Sequence, residues 1–352
     1  MNIALFLPNW IGDVVMATPA LRALRRQFAS ARIVAVCRPY VAGVLEGAPW
    51  FNGYLFLDRQ GPWAQRWPNV AWQLRRAQID LAVLFPNSFR SGLAAWLGRC
   101  RRRVGFQRDG RGWLLTDRLA PIRDEAGSFK PSPVIDDYNR LAHAAGCAWP
   151  GYRMELFTTA ADESAADAVY DKFRIQADEE VVCLNPGAAF GAAKFWPTES
   201  FAALAQELVD ARAARVLVLC GPSEREQARA IAQRANRPGV TALADEPLSL
   251  GLTKALVRRA ALLVTTDSGP RHFAAAFNRP VVSLYGPTFI DWTRTYFDKE
   301  INLQKKVPCG PCQLRACPTD HACMRLLTPA EVFTAAVNLL ERVSSVPKRK
   351  AS

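Results

Sequence analysis

The sequence predicts an α/β protein built from two Rossmann-like, doubly wound domains that face each other across a cleft. Apolar runs of strand length alternate with segments of helical period, and this alternation restarts after a polar, Ala- and Asp-rich stretch at 158–178. A chain of 352 residues, half of them hydrophobic, is long enough to bury two such cores. We place the first domain at 1–165 and the second at 166–352.

Each predicted domain has four clear strands with helices between or after them. In the first domain the strands are IALFLP, RIVAVC, GYLFLD and DLAVLF, and the helices are ATPALRALRRQF, VAWQLRRAQ and SGLAAWLG. In the second domain the strands are EVVCLNPG, RVLVLCGP, ALLVTTDSG and PVVSLYGP, and the helices are TESFAALAQELV, EREQARAIAQRA, LGLTKALVRRA and PAEVFTAAVNLLERV. We expect that the last helix can pack back on the first domain.

The hydropathy pattern predicts a cytoplasmic protein. No run of 18 or more uncharged apolar residues occurs, and the first apolar stretch lacks a preceding basic region. Neither a membrane span nor a signal peptide is therefore expected.

The net charge of +13 is concentrated in the first domain. Residues 1–150 contain 20 Lys/Arg and 10 Asp/Glu, an excess of +10 that leaves about +3 for the remainder. The basic residues of the first domain either form a solvated surface, or they bind an acidic substrate or an anionic membrane surface. The arginines form small separate clusters, which argues against a nucleic-acid groove.

Ligands of open α/β sheets bind beyond the carboxyl ends of the strands, so motifs there carry the most weight. In CLNPGAAFGAAKFWP, a small-residue loop leads to Lys194, which could supply a charge to a phosphate or could be a surface lysine in an ordinary turn. In VLCGPSERE, Glu224 could accept hydrogen bonds from a ribose or could simply favour a helix N-terminus.

The most specific strand end is TTDSGPRHFAAA at 265–276. A buried-type strand runs into Asp267, Ser268 and Gly269 and then into a helix, whose free N–H groups would point at an anion. His272 lies one turn inside, where it could reach the anion or have only a structural role.

At the start of the chain, Asp13 follows the first strand in PNWIGDVVMATPAL. Alone it could be a first-turn acid that stabilises the helix dipole.

These elements together resemble the bacterial ADP-heptose:lipopolysaccharide heptosyltransferases, which are inverting glycosyltransferases with the GT-B fold. The resemblance covers nearly the whole chain and rests on WIGDVVMATPAL, on KFWP at 194–197 and on TTDSGPRHFAAAFNRPVVSLYGPT at 265–288. The Asn-Trp before Ile-Gly-Asp is most similar to the heptosyltransferase II branch. The implied activity is transfer of a heptose from ADP-heptose to the inner core of lipopolysaccharide, without a catalytic cofactor, at the cytoplasmic face of the inner membrane.

The resemblance also implies residue roles. Gly12 and Asp13 match the Gly-Asp at the interdomain cleft, with Asp13 as general base, and Lys194 matches a lysine that meets the donor diphosphate. The segment that holds the nucleotide sugar contributes Asp267, Ser268, Gly269 and His272. Glu224, for the ribose, and Leu248, for the adenine pocket, are looser matches. Arg271, in a Pro-Arg pair that departs from the family pattern, would add a cation beside the phosphates. Arg90 and the segment RRRVGFQRDGRGWLL are the expected acceptor contacts.

Four cysteines cluster before the last helix. Cys309, Cys312, Cys317 and Cys323 are spaced C-x2-C-x4-C-x5-C, which suits a structural zinc or iron site in a reducing compartment, with His321 as a spare ligand. Disulfides or redox thiols and unligated cysteines are the alternatives. In each case we expect the segment to clamp a loop.

Three alternative functions remain open at this stage. The first is the same fold acting on another nucleotide sugar or acceptor, or as an epimerase. The second is a non-catalytic sugar- or nucleotide-binding protein, against which the intact Gly12-Asp13 and Asp267-Ser268-Gly269 argue. The third is nucleic-acid binding, which we do not expect.

Overall fold

Two six-stranded parallel sheets form the framework of the protein, and both have the same strand order. The computed structural model describes residues 1–58, 60–123, 125 and 131–345. The first unit comprises Met1–Phe157 with Asp291–Tyr296, and the second comprises Thr158–Ile290 with the described residues from Phe297 onward. The sheet orders are β3-β2-β1-β4-β5-β6 and β12-β11-β10-β7-β8-β9. Both are the doubly wound order, so the predicted α/β class is confirmed.

In the described part of Met1–Phe157 the first unit has six strands and six α-helices. Its strands are β1 (Asn2–Phe6), β2 (Arg32–Cys37), β3 (Gly53–Phe56), β4 (Leu81–Leu84), β5 (Arg102–Phe106) and β6 (Asp117–Leu119). Its helices are α1 (Ile11–Met16), α2 (Thr18–Gln27), α3 (Pro39–Val44), α4 (Trp67–Arg76), α5 (Phe89–Leu97) and α6 (Val134–Ala144).

The second unit contains the other six strands. They are β7 (Val181–Asn185), β8 (Arg215–Val218), β9 (Val240–Ala242), β10 (Leu262–Thr266), β11 (Val281–Tyr285) and β12 (Glu300–Gln304). The helices from here on are α7 (Ala160–Lys172), α8 (Thr198–Arg212), α9 (Arg225–Ala235), α10 (Leu250–Arg259), α11 (Gly269–Ala276), α12 (Ile290–Thr293), α13 (Ala322–Arg325) and α14 (Pro329–Ser344).

Local sequence accounts for several helix starts. Thr159 begins α7 with a reciprocal capping box to Asp162, and Thr328 begins α14 in the same way with Glu331. Pro329 occupies the first turn of α14, where its missing N–H costs nothing. Helix α14 packs on α8 and on β10, β11 and β12 of its own unit.

The central strands are buried on both faces. Every residue of β4, β7, β10 and β11 is buried, because helices cover both sides of a parallel sheet. The edge strands β3 and β12 are only partly buried. Among the described residues, no helix is both long enough and apolar enough to span a bilayer.

Candidate functional site

The carboxyl ends of β7 and β10 meet in the second unit, because these two strands are neighbours in the sheet. Asn185, the last residue of β7, donates from its Nδ2 to the hydroxyl oxygens of Ser268 at 2.9 Å and Thr265 at 3.0 Å. Ser268 is the residue before α11 and lies at the N-terminus of that helix. Asn185 therefore fixes the side chain of Ser268 at a helix end whose N–H groups favour an anion.

Lys194 and Asp267 form a buried ion pair at the same strand ends. The Lys194 ammonium lies 2.5 Å from Asp267 Oδ2 and donates to the Asp267 carbonyl oxygen at 3.0 Å, and the two side chains are 10% and 5% exposed. Thr288 donates to the same carboxylate oxygen at 2.7 Å. Burial alone would raise the pKa of Asp267, but Lys194 and Arg271 outweigh it and hold that pKa below its usual value. Asp267 is therefore an anion whose first partner is Lys194.

His272 is a neutral imidazole in the first turns of α11. Burial, reinforced by the positive charge of Arg271, lowers the pKa of His272 from 6.5 to about 3. Its Nδ1 is buried and has no hydrogen-bond partner among the described residues. His272 can therefore offer an N–H to an anion, but it cannot offer a positive charge near neutral pH.

Arg271 has a different position from the one the sequence predicts. It is 1% exposed and paired with Glu300 at the start of β12, with Nε–Oε1 and Nη2–Oε2 distances of 2.5 and 2.9 Å. Ser283 donates to the same Glu300 carboxylate at 2.9 Å. Sequence reasoning expected Arg271 as an extra cation beside the phosphates; in the structure its guanidinium forms a bidentate pair with Glu300 inside the unit and joins α11 to the sheet.

The two loosely matched donor residues have clear local roles. Glu224 accepts from the Gly221 N–H at 2.7 Å, so it caps its own turn, and its carboxylate lies directly over the Cα of Gly187. A Cβ at Gly187 would lie 2.0 Å from Glu224 Oε1, so a side chain there would have to displace the Glu224 carboxylate. Leu248, between β9 and α10, is partly buried and packs against the core of the second unit. Glu224 thus borders the loop that leads to Lys194.

The cysteine-rich segment clamps that loop, as predicted. The Ala193 N–H donates to the Arg315 carbonyl at 3.0 Å, and His321 Nε2 lies 2.7 Å from the Ala193 carbonyl oxygen. A Cβ on Gly191 would lie 2.3 Å from the Arg315 carbonyl oxygen, so the two segments are in close contact. The turn that positions Lys194 is thus held from the cysteine-rich side.

The cysteines themselves give no support to the predicted structural metal. Cys309 is exposed, Cys312 and Cys317 are half-buried and Cys323 is buried, and all four are free thiols. Within the described ranges, no group of three or more His, Cys, Asp or Glu side chains is arranged to hold a metal ion.

In the first unit, Gly12 and Asp13 lie in α1 beyond the carboxyl end of β1. Asp13 is half-buried in the first turn of that helix. Tyr138 of α6 is near it: burial raises the pKa of Tyr138 well above its usual value, and the charge of Asp13 raises it further. The aspartate therefore lies at the strand end where open α/β sheets bind ligands, and it has a protonated phenol as a neighbour.

Arg90 and Arg111 belong to the neighbouring strand end, because β4 pairs with β1. Arg90 is exposed in the first turn of α5. Arg111 is fully buried and donates to the carbonyl oxygens of Phe106 at 3.0 Å and Ser88 at 3.2 Å, and to Ser91 Oγ at 3.0 Å. Burial lowers its pKa to about 10. Arg111 is thus not the acceptor contact expected of its segment; it holds the loop before Arg90.

Comparison with known proteins identifies the family. The model of glycosyltransferase family 9 (heptosyltransferase) matches residues 67–323. The chain belongs to glycosyltransferase family 9. It is 27% identical over 315 residues to lipopolysaccharide heptosyltransferase 2 of Escherichia coli K12, covering 83% of this chain and 85% of that protein. It is 25% identical over 350 residues to lipooligosaccharide heptosyltransferase 2 of Campylobacter jejuni serotype O:2, covering 97% and 99%.

A solved relative supports the same family assignment. The structure of the Escherichia coli ADP-heptose lipopolysaccharide heptosyltransferase II is 25% identical, has a TM-score of 0.78 and covers 98% of this chain and all of its own. A glycosyltransferase family 9 structure from Veillonella parvula, 20% identical with a TM-score of 0.81, shares the fold. The family 9 chain therefore has the predicted GT-B fold.

Some polar residues of the family 9 chain were not expected from its sequence. Asn185 appears in the sequence only as part of an Asn-Pro-Gly turn signal, and Thr288 ends the segment at 265–288 without a predicted role. Only the pairing of β7 with β10 and β10 with β11 brings them to Ser268 and Asp267. The available signal was their position just beyond buried strands.

Proposed function

We propose that this family 9 glycosyltransferase moves a heptose from ADP-heptose to the inner core of lipopolysaccharide, with inversion at the anomeric carbon. The second unit would hold the nucleotide sugar and the first unit the acceptor. The observation that carries the proposal is the joined strand ends of β7 and β10, where Asn185, Ser268 and the Lys194–Asp267 pair lie together at a helix N-terminus. Family membership supports the sugar class, since the matching relatives are named heptosyltransferases.

In the proposed reaction Asp13 is the general base. Its carboxylate accepts the proton of the acceptor hydroxyl while the hydroxyl oxygen bonds to the anomeric carbon and the bond from that carbon to the ADP oxygen breaks. A positioned base of this kind contributes about 10²–10⁴-fold. Tyr138 supports this role, because its raised pKa keeps it a neutral neighbour that does not compete for the proton.

The departing diphosphate gains negative charge, and directional N–H groups would stabilise it. The N–H groups at Ser268 and Gly269 lie at the N-terminal end of α11, and His272 adds a neutral N–H. Lys194 has three N–H groups, of which two are engaged by Asp267, so one can reach a phosphate oxygen. Glu224 would accept from the ribose hydroxyls, and Leu248 would border the adenine.

The acceptor would meet the exposed Arg90 beyond β4, next to Asp13 at the end of β1. Inner-core lipopolysaccharide carries carboxylates and phosphates, and the excess of +10 in residues 1–150 suits such a partner. We place the enzyme at the cytoplasmic face of the inner membrane, in peripheral contact with it.

Release of ADP from ADP-heptose in the presence of truncated core acceptors tests the proposal. Turnover with at least one acceptor is expected, and Asp13→Asn should abolish it while circular dichroism and ADP binding stay unchanged. Absence of turnover with every pair of ADP-heptose and acceptor would contradict the proposed sugar. Full turnover in Asp13→Asn would remove Asp13 from the role of base.

A further inference from the structure

The first unit exposes an aromatic and basic surface on α4, α5 and the short turns beside them. Both helices pack on the same side of the sheet, since Val70 and Leu74 of α4 and Ala94 and Ala95 of α5 share one core cluster with the strands. The two helices and the short turns beside them carry five of the ten tryptophans of the chain, all exposed: Trp63, Trp67, Trp72, Trp96 and Trp113. We call these helices' outer faces and turns the α4/α5 surface.

The outer face of α5 is apolar where a solvated helix would be polar. Phe89 and Trp96 are seven residues apart and therefore on one face, opposite the buried Ala94 and Ala95. The Trp113 ring lies 6.2 Å from the Phe89 ring and 5.8 Å from the Trp96 ring, between ring centroids. Aromatic side chains thus form a continuous exposed group along α5.

The charge of this region has one sign. Arg66, Arg75 and Arg76 on or beside α4 and Arg99 after α5 are exposed, and Asp80 is the one acidic residue between Gly61 and Arg108. Asp80 accepts from the Asn2 N–H at 2.9 Å and from Arg101 at 3.3 Å, so its charge is engaged locally. On α4 the Arg76 guanidinium lies 4.7 Å from the centroid of the Trp72 ring. The surface therefore combines amphipathic rings with positive charge.

A cavity of about 580 Å³ adjoins this surface at the amino-terminal ends of β1, β2 and β3. Trp72, Arg76, Arg32 and Tyr54 are among its lining residues. It lies at the end of the sheet away from Asp13, so it is separate from the proposed reaction site. Two guanidinium groups and two aromatic rings suit a phosphate attached to an apolar group.

We infer that the α4/α5 surface docks the enzyme on an anionic phospholipid bilayer, with its tryptophans at the interface and its arginines against lipid phosphates. Tryptophan is enriched at the membrane–water interface because one end of its ring is apolar and the other donates a hydrogen bond. Single-stranded nucleic acid also binds aromatic and basic residues, but the arginines here form small separate clusters and not the continuous basic groove that tracks a nucleic-acid backbone. The inference rests on the proposed function, since a membrane-anchored glycolipid acceptor would bring this surface to the bilayer.

Co-sedimentation of the full chain with vesicles tests the docking surface. Wild-type protein is expected to bind vesicles of phosphatidylglycerol and phosphatidylethanolamine, and to bind phosphatidylcholine vesicles weakly. The double change Arg75→Gln/Arg76→Gln should lower the partition coefficient on the anionic vesicles by about 30-fold, from ~1 kcal/mol per basic residue. Trp96→Ser/Trp113→Ser should lower it by about tenfold, through lost apolar burial.

Trp149→Ser is the matched control, because Trp149 is also exposed in the first unit but follows α6, which packs on α1 and α2. It should bind vesicles like the wild type. The inference is overturned if wild-type protein does not bind anionic vesicles, if Trp96→Ser/Trp113→Ser binds them unchanged, or if single-stranded oligonucleotide displaces the vesicles at physiological salt.

ADP release with a lipid-free acceptor separates this inference from the proposed function. Trp96→Ser alone should lower vesicle binding but keep that activity, because Trp96 is not among the proposed donor or acceptor contacts. Wild-type turnover without vesicle binding would overturn the docking surface alone. Vesicle binding without turnover for any ADP-heptose and acceptor would overturn the proposed function alone.

Discussion

The buried pair of Lys194 and Asp267 makes the sharpest stability prediction. Lys194→Met leaves Asp267 as an anion that is 95% buried without its main partner, and Asp267→Asn leaves Lys194 in the same position. Each single change should lower the free energy of unfolding by about 3–5 kcal/mol, because an uncompensated charge stays in a poorly solvated place. In Lys194→Met/Asp267→Asn both charges are gone, and the cost should be less than the sum by at least about 2 kcal/mol.

Urea unfolding followed by circular dichroism measures these costs. The matched control is the exposed pair of Arg237 and Asp210, whose side chains are 37% and 51% exposed. Arg237→Met and Asp210→Asn should leave the unfolding curve close to that of the wild type. The reasoning is refuted if each change at Lys194 or Asp267 costs less than about 0.5 kcal/mol, or if the two costs simply add.

Three further predictions concern single side chains. Arg90→Ala should raise the KM for the acceptor more than the KM for ADP-heptose, and an unchanged acceptor KM in steady-state assays would remove Arg90 from the site. Arg111→Leu should lower the unfolding free energy by about 3 kcal/mol, because it leaves buried carbonyl oxygens without a donor. The control Arg99→Leu changes an exposed arginine and should have little effect. Equal urea midpoints for the two variants would contradict this prediction. His272 takes up a proton below pH 6.5 in the unfolded chain but only near pH 3 in the folded protein. Lowering the pH between these two values should therefore reduce the unfolding free energy of the wild type by about 1.4 kcal/mol per pH unit more than that of His272→Gln. Parallel loss of unfolding free energy in both proteins between about pH 7 and pH 5 would show that His272 is not buried as a neutral ring.

The sequence was sufficient for the architecture because buried parallel strands are nearly continuous apolar runs. Runs such as LAVL and LLVTT have this pattern, and both are fully buried central strands. The strands it did not reveal, β5, β6, β9 and β12, lie toward the sheet edges or carry charged residues, as in RRVGF and EINLQ. β3 is also a partly buried edge strand, but its sequence GYLF has no charged residue, and the apolar run GYLFLD predicts it.

For the candidate site, the sequence identified chemistry but not partners. Lys194 and Asp267 were both singled out, yet nothing in the chain indicates that residues 73 positions apart form a pair. Arg271 was assigned to the phosphates because its partner Glu300 lies on a strand that the pattern did not reveal. Which charges neutralise each other is decided by tertiary packing, and a spacing rule along the chain contains no information on it.

The two units differ in how they would handle negative charge. In the second unit the buried charges are matched in pairs, Lys194 with Asp267 and Arg271 with Glu300, while His272 is neutral. A diphosphate there would be held by oriented N–H groups, which act over short distances and fix geometry. The first unit has an excess of arginine that acts over about 10 Å at moderate salt. Such a division suits a small donor that must be oriented at its anomeric carbon and a large anionic acceptor that must first be attracted.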